Sequence, residues 1–364
     1  MAENPIKVLH IDAGHEWRGG QQQVAYLLQN MIDAGYDTKL VCPAGSPLLQ
    51  HSCEKNLPVA SLLLTSKTRL NDARAIAMLC REEGFQIIHA HCSHSLTLAI
   101  LSRLLYRNVR IVASRRVDFH VKKPIVGALK YRTKLLDKII CVSDAIREIL
   151  IGDGVQPEKV VTVRSGIDLH KFDDANPQGL REEFSIPSDH VIILTVAALV
   201  GHKDYPTLLK AAQKVISKTE KVTFLAVGEG PKKEELLQLA AELNLGDRFI
   251  FTGHKNDVGR FLKLADIFVL ASKTEGLGTS LLDAQVAGCA IVATEAGGIP
   301  EIVKDGETGL LAQPENAEAL ADGLLRIIED KKERSRLAKN AQKEVEKFSH
   351  FNTFEKTDDV YQSL

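Results

Sequence analysis

The sequence predicts an α/β fold made of two Rossmann-like domains. Three observations carry this. A length of 364 residues suits two domains of ordinary size. Short apolar runs alternate with stretches whose apolar residues recur at helical spacing. That rhythm restarts near residue 190, after a polar stretch punctuated by Pro and Gly.

In the first half, residues 6–12 (Ile-Lys-Val-Leu-His-Ile-Asp) form the first expected strand. A loop containing Gly14, Gly19 and Gly20 follows. Val24, Leu27, Leu28, Met31 and Ile32 then mark one face of a helix, and Gly35 is its expected C-cap. Thr38–Cys42, Ile87–Ala90, Val109–Ala113, Ile139–Val142 and Val160–Val163 are further strands. Their nearly unbroken apolar character suits parallel strands covered on both faces. Residues 172–190 read as a linker with a short helix. Val191–Ala197, Thr223–Val227, Phe249–Thr252, Ile267–Leu270 and Ala290–Ala293 are the strands of the second half. Residues 315–346 are helical and charged, and 350–364 a final helix returning to the first domain. The expected division is 1–172, 173–349 and that last helix.

Composition excludes several classes. With 45% hydrophobic and 26% charged residues, the chain is neither disordered nor collagenous. No apolar stretch has the length of a membrane span, and the first residues lack the pattern of a secretory signal. The six cysteines form no Cys-x-x-Cys pair, which argues against zinc and redox motifs and suits a reducing cytoplasm. The net charge of −1 hides a split: residues 1–172 carry +7 and the remainder −8. Between Arg103 and Lys138 there are 11 Lys/Arg against Asp118 and Asp137. This implies an anionic partner for the first half. Nucleic acid is a poor candidate, because the second half is acidic and aromatics make up only 5%.

In open parallel sheets, ligands bind beyond the carboxyl ends of the strands. The most informative loop therefore follows Ile267–Leu270: Ala271-Ser-Lys-Thr-Glu275-Gly-Leu-Gly-Thr279-Ser-Leu-Leu-Asp283. Gly276 and Gly278 permit close backbone approach to a ligand. A helix starting at Thr279 or Ser280 offers free amides suited to phosphate. Asp283 lies one turn into that helix, and a carboxylate suits vicinal hydroxyls. The bland alternative makes Asp283 merely an acid favoured by the helix dipole.

These residues, with Ala287-Gly-Cys-Ala-Ile-Val-Ala-Thr-Glu-Ala-Gly-Gly298-Ile-Pro-Glu301, Ala226-Val-Gly-Glu-Gly-Pro231, Phe249-Ile-Phe-Thr-Gly253 and Val163-Arg-Ser-Gly-Ile-Asp168, resemble glycosyltransferase family 4. The resemblance reaches Gly19-Gly20-Gln and implies the GT-B fold, with two Rossmann-like domains facing across a cleft. It implies a retaining hexosyltransferase that uses a nucleotide sugar and needs neither metal nor further cofactor. The base, uridine or guanosine, stays open.

The resemblance implies that Glu275 bonds the donor sugar and Asp283, shorter than the family's Glu, holds the ribose. Backbone of Gly276, Leu277, Gly278 and Thr279 would meet phosphates and sugar. Gly253, His254 and Lys255 would meet the base, and Gly19 and Gly20 the donor phosphate and acceptor. Lys203 falls on the cation of the family's diphosphate clamp, but Ala198 stands where the family has Arg. His120 is the candidate for the family's first-domain histidine, with Arg116 as its rival. His89, His91 and His94 cluster in sequence, but a metal is not expected.

Arg115, Arg116, Lys122 and Lys123 are candidate anion or acceptor contacts. Apolar Ile125, Val126, Leu129 and Leu135 interleave with cations, which suits an anionic leaflet or a phosphorylated glycolipid. The resemblance implies a hydroxyl acceptor on the first domain, lipid-linked or a surface glycan as in lipopolysaccharide assembly. Cytoplasmic placement with peripheral contact at the inner membrane is expected as well. Two other readings stand beside this: a weakly active scaffold or regulatory protein, and a nucleotide-sugar epimerase or phosphorylase.

Overall fold

A computed structural model describes residues 6–121 and 125–364. It divides the chain into two units, Met1–Gly166 with His350–Leu364, and Ile167–Ser349. The sequence places the boundary after 172, but residues 167–172 belong to the second unit. The Ile167 N–H donates to Phe348 O at 2.8 Å. Phe172 is buried, and Lys171 pairs with Asp283.

The first unit alternates β1 (Val8–Ile11), α1 (Gly19–Asp33), β2 (Thr38–Pro43), α2 (Pro47–Glu54), β3 (Val59–Leu62) and α3 (Arg69–Glu83). It continues with β4 (Ile87–Ala90), α4 (Ser93–Leu105), β5 (Arg110–Arg115), α5 (Ile125–Arg132), β6 (Lys138–Cys141), α6 (Asp144–Gly152) and β7 (Val160–Thr162). The second comprises α7 (Leu180–Glu183), β8 (Val191–Val196), α8 (Tyr205–Lys218), β9 (Val222–Val227), α9 (Lys233–Glu242), β10 (Phe249–Gly253) and α10 (Val258–Leu264). Then come β11 (Ile267–Leu270), α11 (Thr279–Ala287), β12 (Ala290–Thr294), β13 (Leu310–Ala312), α12 (Ala317–Glu329) and α13 (Lys331–Glu344). Finally α14 (His350–Gln362) packs on α1 in the first unit.

The sheets are parallel, ordered β3-β2-β1-β4-β5-β6-β7 and β10-β9-β8-β11-β12-β13. Sequence order reverses between β1 and β4, and again between β8 and β11. At such points the flanking helices lie on opposite faces and leave a crevice beyond the strand ends. The two Rossmann-like units expected from the sequence are thus present. Gly19 and Gly20 are not loop residues, however. They open α1, because Arg18 is extended and its N–H donates to the Gln21 side chain.

The first unit buries a polar chain beneath that crevice. Arg116 approaches His91 Nδ1 at 3.5 Å, and His91 Nε2 lies 2.9 Å from His10 Nδ1. His10 Nε2 faces the Met31 sulfur at 3.3 Å. Arginine can only donate, so this order fixes both tautomers: each Nδ1 accepts and each Nε2 carries the proton. His89 bonds Tyr361 of α14 and Ser114 of β5. Burial pushes His10 down to about 3 and holds His89 and His91 well below the ordinary imidazole value.

These three rings stay neutral when folded but take up protons when unfolded. Stability is therefore full above pH about 6.5 and falls as pH drops toward 3, by up to roughly 1.4 kcal/mol per pH unit for each ring. Trp17, the single tryptophan, lies in the first unit, so its emission follows that unit's melting. A melting temperature that stays level as pH drops from about 6.5 to about 5 would contradict this reading of the cluster.

Candidate active site

In the second unit the loops after β8 and β11 meet at the point of reversal. Lys203 ends a short 3-10 turn after β8, and Glu275 lies in the loop after β11. They form an ion pair, each about 15% exposed. The Ser272 hydroxyl also donates to Glu275, at 3.1 Å. The Lys273 N–H donates to His202 O at 2.8 Å and ties the two loops together. Asp204 sits in the left-handed region at φ 47° and starts α8, with its carboxylate accepting from Thr207.

The Glu275 backbone has a second support. Its carbonyl accepts from the Gly298 N–H at 3.0 Å. Gly297, at φ +51°, passes so close that a Cβ there would lie 1.9 Å from the same oxygen. Gly278, at φ +88°, precedes α11, and no side chain caps that helix. Its first amides are therefore available to an anion beside Lys203 and Glu275. Leu277 is buried and anchors the loop in the core.

Asp283 is on α11 as expected, but its carboxylate lies 3.2 Å from Lys171 Nζ. Burial raises its pKa despite the pull of Lys171, although about a fifth of the side chain remains open to solvent. Lys171, which also sits over the Phe172 ring, escaped the sequence reading. The Gly228 N–H donates to Gly253 O at 3.0 Å, and a Cβ on Gly228 would meet Ala197 O at 2.1 Å. Gly253 is thus tied to the β8 loop. His254 is exposed. Lys255 turns to Glu183 at 3.3 Å and to the Phe184 and Phe261 rings, so its charge is held there. Ala198, where the resemblance implies a second clamp cation, is exposed and carries no charge. Lys232 passes Gly201, but its ammonium lies 2.7 Å from Glu235.

In the first unit Arg116, not His120, stands by the reversal point. A Cβ on Gly20 would lie 3.7 Å from its side chain. His120 instead bonds Asp153, the C-cap of α6, at 2.9 Å and is two-thirds exposed. Arg115 is buried between Phe119 and Tyr131. Lys122 and Lys123 lie outside the described residues, as do the side chains of Ile125 and Val126. Leu129 is exposed. The histidine cluster differs from the expected one: His10 joins His89 and His91, and His94 stands apart.

The Gly297 contact gives a test. Gly297→Ala must displace the Glu275 peptide and should cost about 2–4 kcal/mol in urea unfolding of the second unit. A cost below about 0.5 kcal/mol would show that the loop is not held this way.

Residues 178–344 match the family model for group 1 glycosyl transferases, and residues 17–171 match the model for glycosyltransferase family 4. The chain is 24% identical over 283 residues to N-acetyl-alpha-D-glucosaminyl L-malate synthase of Bacillus anthracis, covering 75% of this chain and 73% of that protein. It is 24% identical over 346 residues to the UDP-Gal:alpha-D-GlcNAc-diphosphoundecaprenol alpha-1,3-galactosyltransferase of Escherichia coli, covering 90% and 89%. Among solved structures, Anabaena HepE in complex with UDP and glucose superposes with a TM-score of 0.88 at 20% identity, covering 99% of this chain and 100% of that one. A glycosyltransferase from Rickettsia africae gives 0.88 at 20% identity, covering 99% of both chains. The two family models follow one another along the two units, and the chain belongs to glycosyltransferase family 4, with the GT-B fold.

Proposed function

We propose that the protein transfers a sugar from a nucleoside diphosphate sugar to a hydroxyl acceptor, with retention at the anomeric carbon. The observation that carries this is the Lys203–Glu275 pair beside the uncapped start of α11. A cation and free amides suit a departing diphosphate, and a carboxylate suits sugar hydroxyls. Asp283, with Lys171, would serve the ribose. The two carboxylates of this site, Glu275 and Asp283, are each paired with a lysine, so retention by a front-face route is preferred, with the leaving phosphate taking the acceptor proton. The named substrates of the Escherichia coli relative and the UDP-bound neighbour support a nucleotide-sugar donor.

The acceptor is assigned to the first unit and is proposed to be lipid-linked. Among the described residues, all the strongly exposed large apolar side chains except Leu237 lie in that unit, Leu70, Leu104, Leu105, Phe119 and Leu129 among them. They accompany its basic surplus, a pairing suited to an anionic bilayer surface. No helix among the described residues is long and apolar enough to cross a membrane. Ala198 favours the second reading, a weakly active scaffold, because one cation neutralises two phosphates less well than two.

Thermal melting with a panel of nucleotides and nucleotide sugars separates these readings. One nucleotide series should stabilise the protein, by roughly 2.7 kcal/mol at 100 times its Kd. Lys203→Ala and Glu275→Ala should abolish the shift, and NMR of the product should show the donor's anomeric configuration. Binding without turnover on any acceptor favours the scaffold. No shift with any nucleotide defeats the donor assignment.

A further inference from the structure

The first unit holds a group of basic side chains that the donor site does not use. It surrounds His91–Ser93, where β4 gives way to α4 at the reversal point. Among the described residues, six buried side-chain nitrogen or oxygen atoms have no hydrogen-bond partner. Four of them belong here: Arg69 Nε, His94 Nε2, Arg115 Nε and Arg116 Nε. Lys130 reaches in from α5, and its ammonium donates to Ser93 O at 2.7 Å.

Elsewhere, buried basic groups are matched. Arg103 pairs with Asp137, both largely buried. Arg115 at least has two rings and bonds to Tyr131 and Phe119 O. Arg69 and Arg116 have no carboxylate within 4.0 Å among the described residues; Arg116 approaches the neutral His91 ring at 3.5 Å, and Asp12 acts on it only from beyond ion-pair distance. Placement adds to the cost. Arg69 is the first residue of α3 and His94 the second of α4, where the helix dipole opposes a cation. Asp72, the carboxylate that bears on His94, accepts from Thr68 Oγ1. Burial, then repulsion from Arg115 and Arg69, holds Lys130 below its ordinary value.

Buried N–H groups without partners cost free energy unless a ligand completes them. Arg69, Arg116 and Lys130 offer positively charged N–H donors and His94 a further ring nitrogen, a set that fits a group with multiple anionic oxygens, bonded by charge-assisted hydrogen bonds. We infer that Arg69, His94, Lys130 and Arg116 form a phosphate-binding subsite that reads a phosphate or diphosphate on the acceptor. This deepens the proposed function and rests on its assignment of the acceptor to the first unit. The phosphate's source is a lipid-linked diphosphate or a soluble sugar phosphate, which share this chemistry.

The test titrates the full chain calorimetrically with inorganic pyrophosphate and with glucose 1-phosphate. The nucleotide that stabilises the protein is held at saturation, to fill the phosphate contacts of the second unit. Arg69→Gln and Lys130→Gln should each weaken binding about tenfold, the effect of one lost charge-assisted contact, and leave nucleotide affinity unchanged. Arg69→Lys should retain most of the binding. Melting followed by Trp17 emission should show Arg69→Gln no less stable than wild type, because it removes an unpaired, repelled cation; a purely structural arginine would lower it. Vesicles of phosphatidylcholine doped with phosphatidic acid separate the sources. Retention on them that Arg69→Gln abolishes assigns a lipid phosphate, and binding of soluble phosphates alone assigns a soluble acceptor. Equal binding by wild type and both glutamine variants in every arm overturns the subsite. Loss of nucleotide binding in the wild type would instead strike the donor assignment, and the phosphate titration would then be read without nucleotide.

Discussion

Parallel strand pairing is the constraint on which the rest depends. Each strand must be followed by a crossover that returns the chain to the same end of the sheet, and the crossovers cover both faces. Backbone groups at the carboxyl ends then remain as the main place for chemistry. Where the order reverses, between β1 and β4 and between β8 and β11, the covering helices part. The Lys203–Glu275 pair stands at one reversal and Arg116 with His91 at the other. Chemistry in this chain therefore follows topology.

The two reversals are equipped differently. In the second unit, charge is balanced: Lys203 with Glu275, Lys171 with Asp283, Lys255 with Glu183. Glycines at 228, 253, 278 and 297 bring backbone close to these pairs, and two of them would collide with neighbouring carbonyls if they bore a side chain. Around β4 in the first unit, Arg69 and Arg116 have no ion-pair partner among the described residues, and Arg116 faces the neutral His91 ring. A balanced site can exchange its internal ion pair for contacts to a ligand. An unbalanced one gains its balance only from what it binds.

Much of this was legible in the sequence, for physical reasons. Buried parallel strands such as Phe-Val-Leu and Ile-Val-Ala are apolar runs and announce themselves. β3 and β13 did not. Val59–Leu62 is half-exposed and Leu310–Ala312 has three residues, so neither makes a distinct run. The helix start at Thr279 was marked by its glycines, whereas that of α1 was hidden because its first two residues are themselves glycines. Lys171 and Arg69 carry no local signal: a lysine beside a linker and an arginine after a threonine look like surface residues. Their partners lie 112 residues away, or consist of other unpaired cations, and only the folded chain brings such groups together.

α14 has a bearing on how the molecule is made. The chain leaves the first unit at Gly166, builds the whole second unit, and only then supplies Val360 and Tyr361 to the first core. Tyr361 also completes the bonding of buried His89. During synthesis the second unit has its full set of strands while the first still lacks a wall. The amino-terminal unit, though translated first, is therefore the last to close, and residues 350–362 act as its latch.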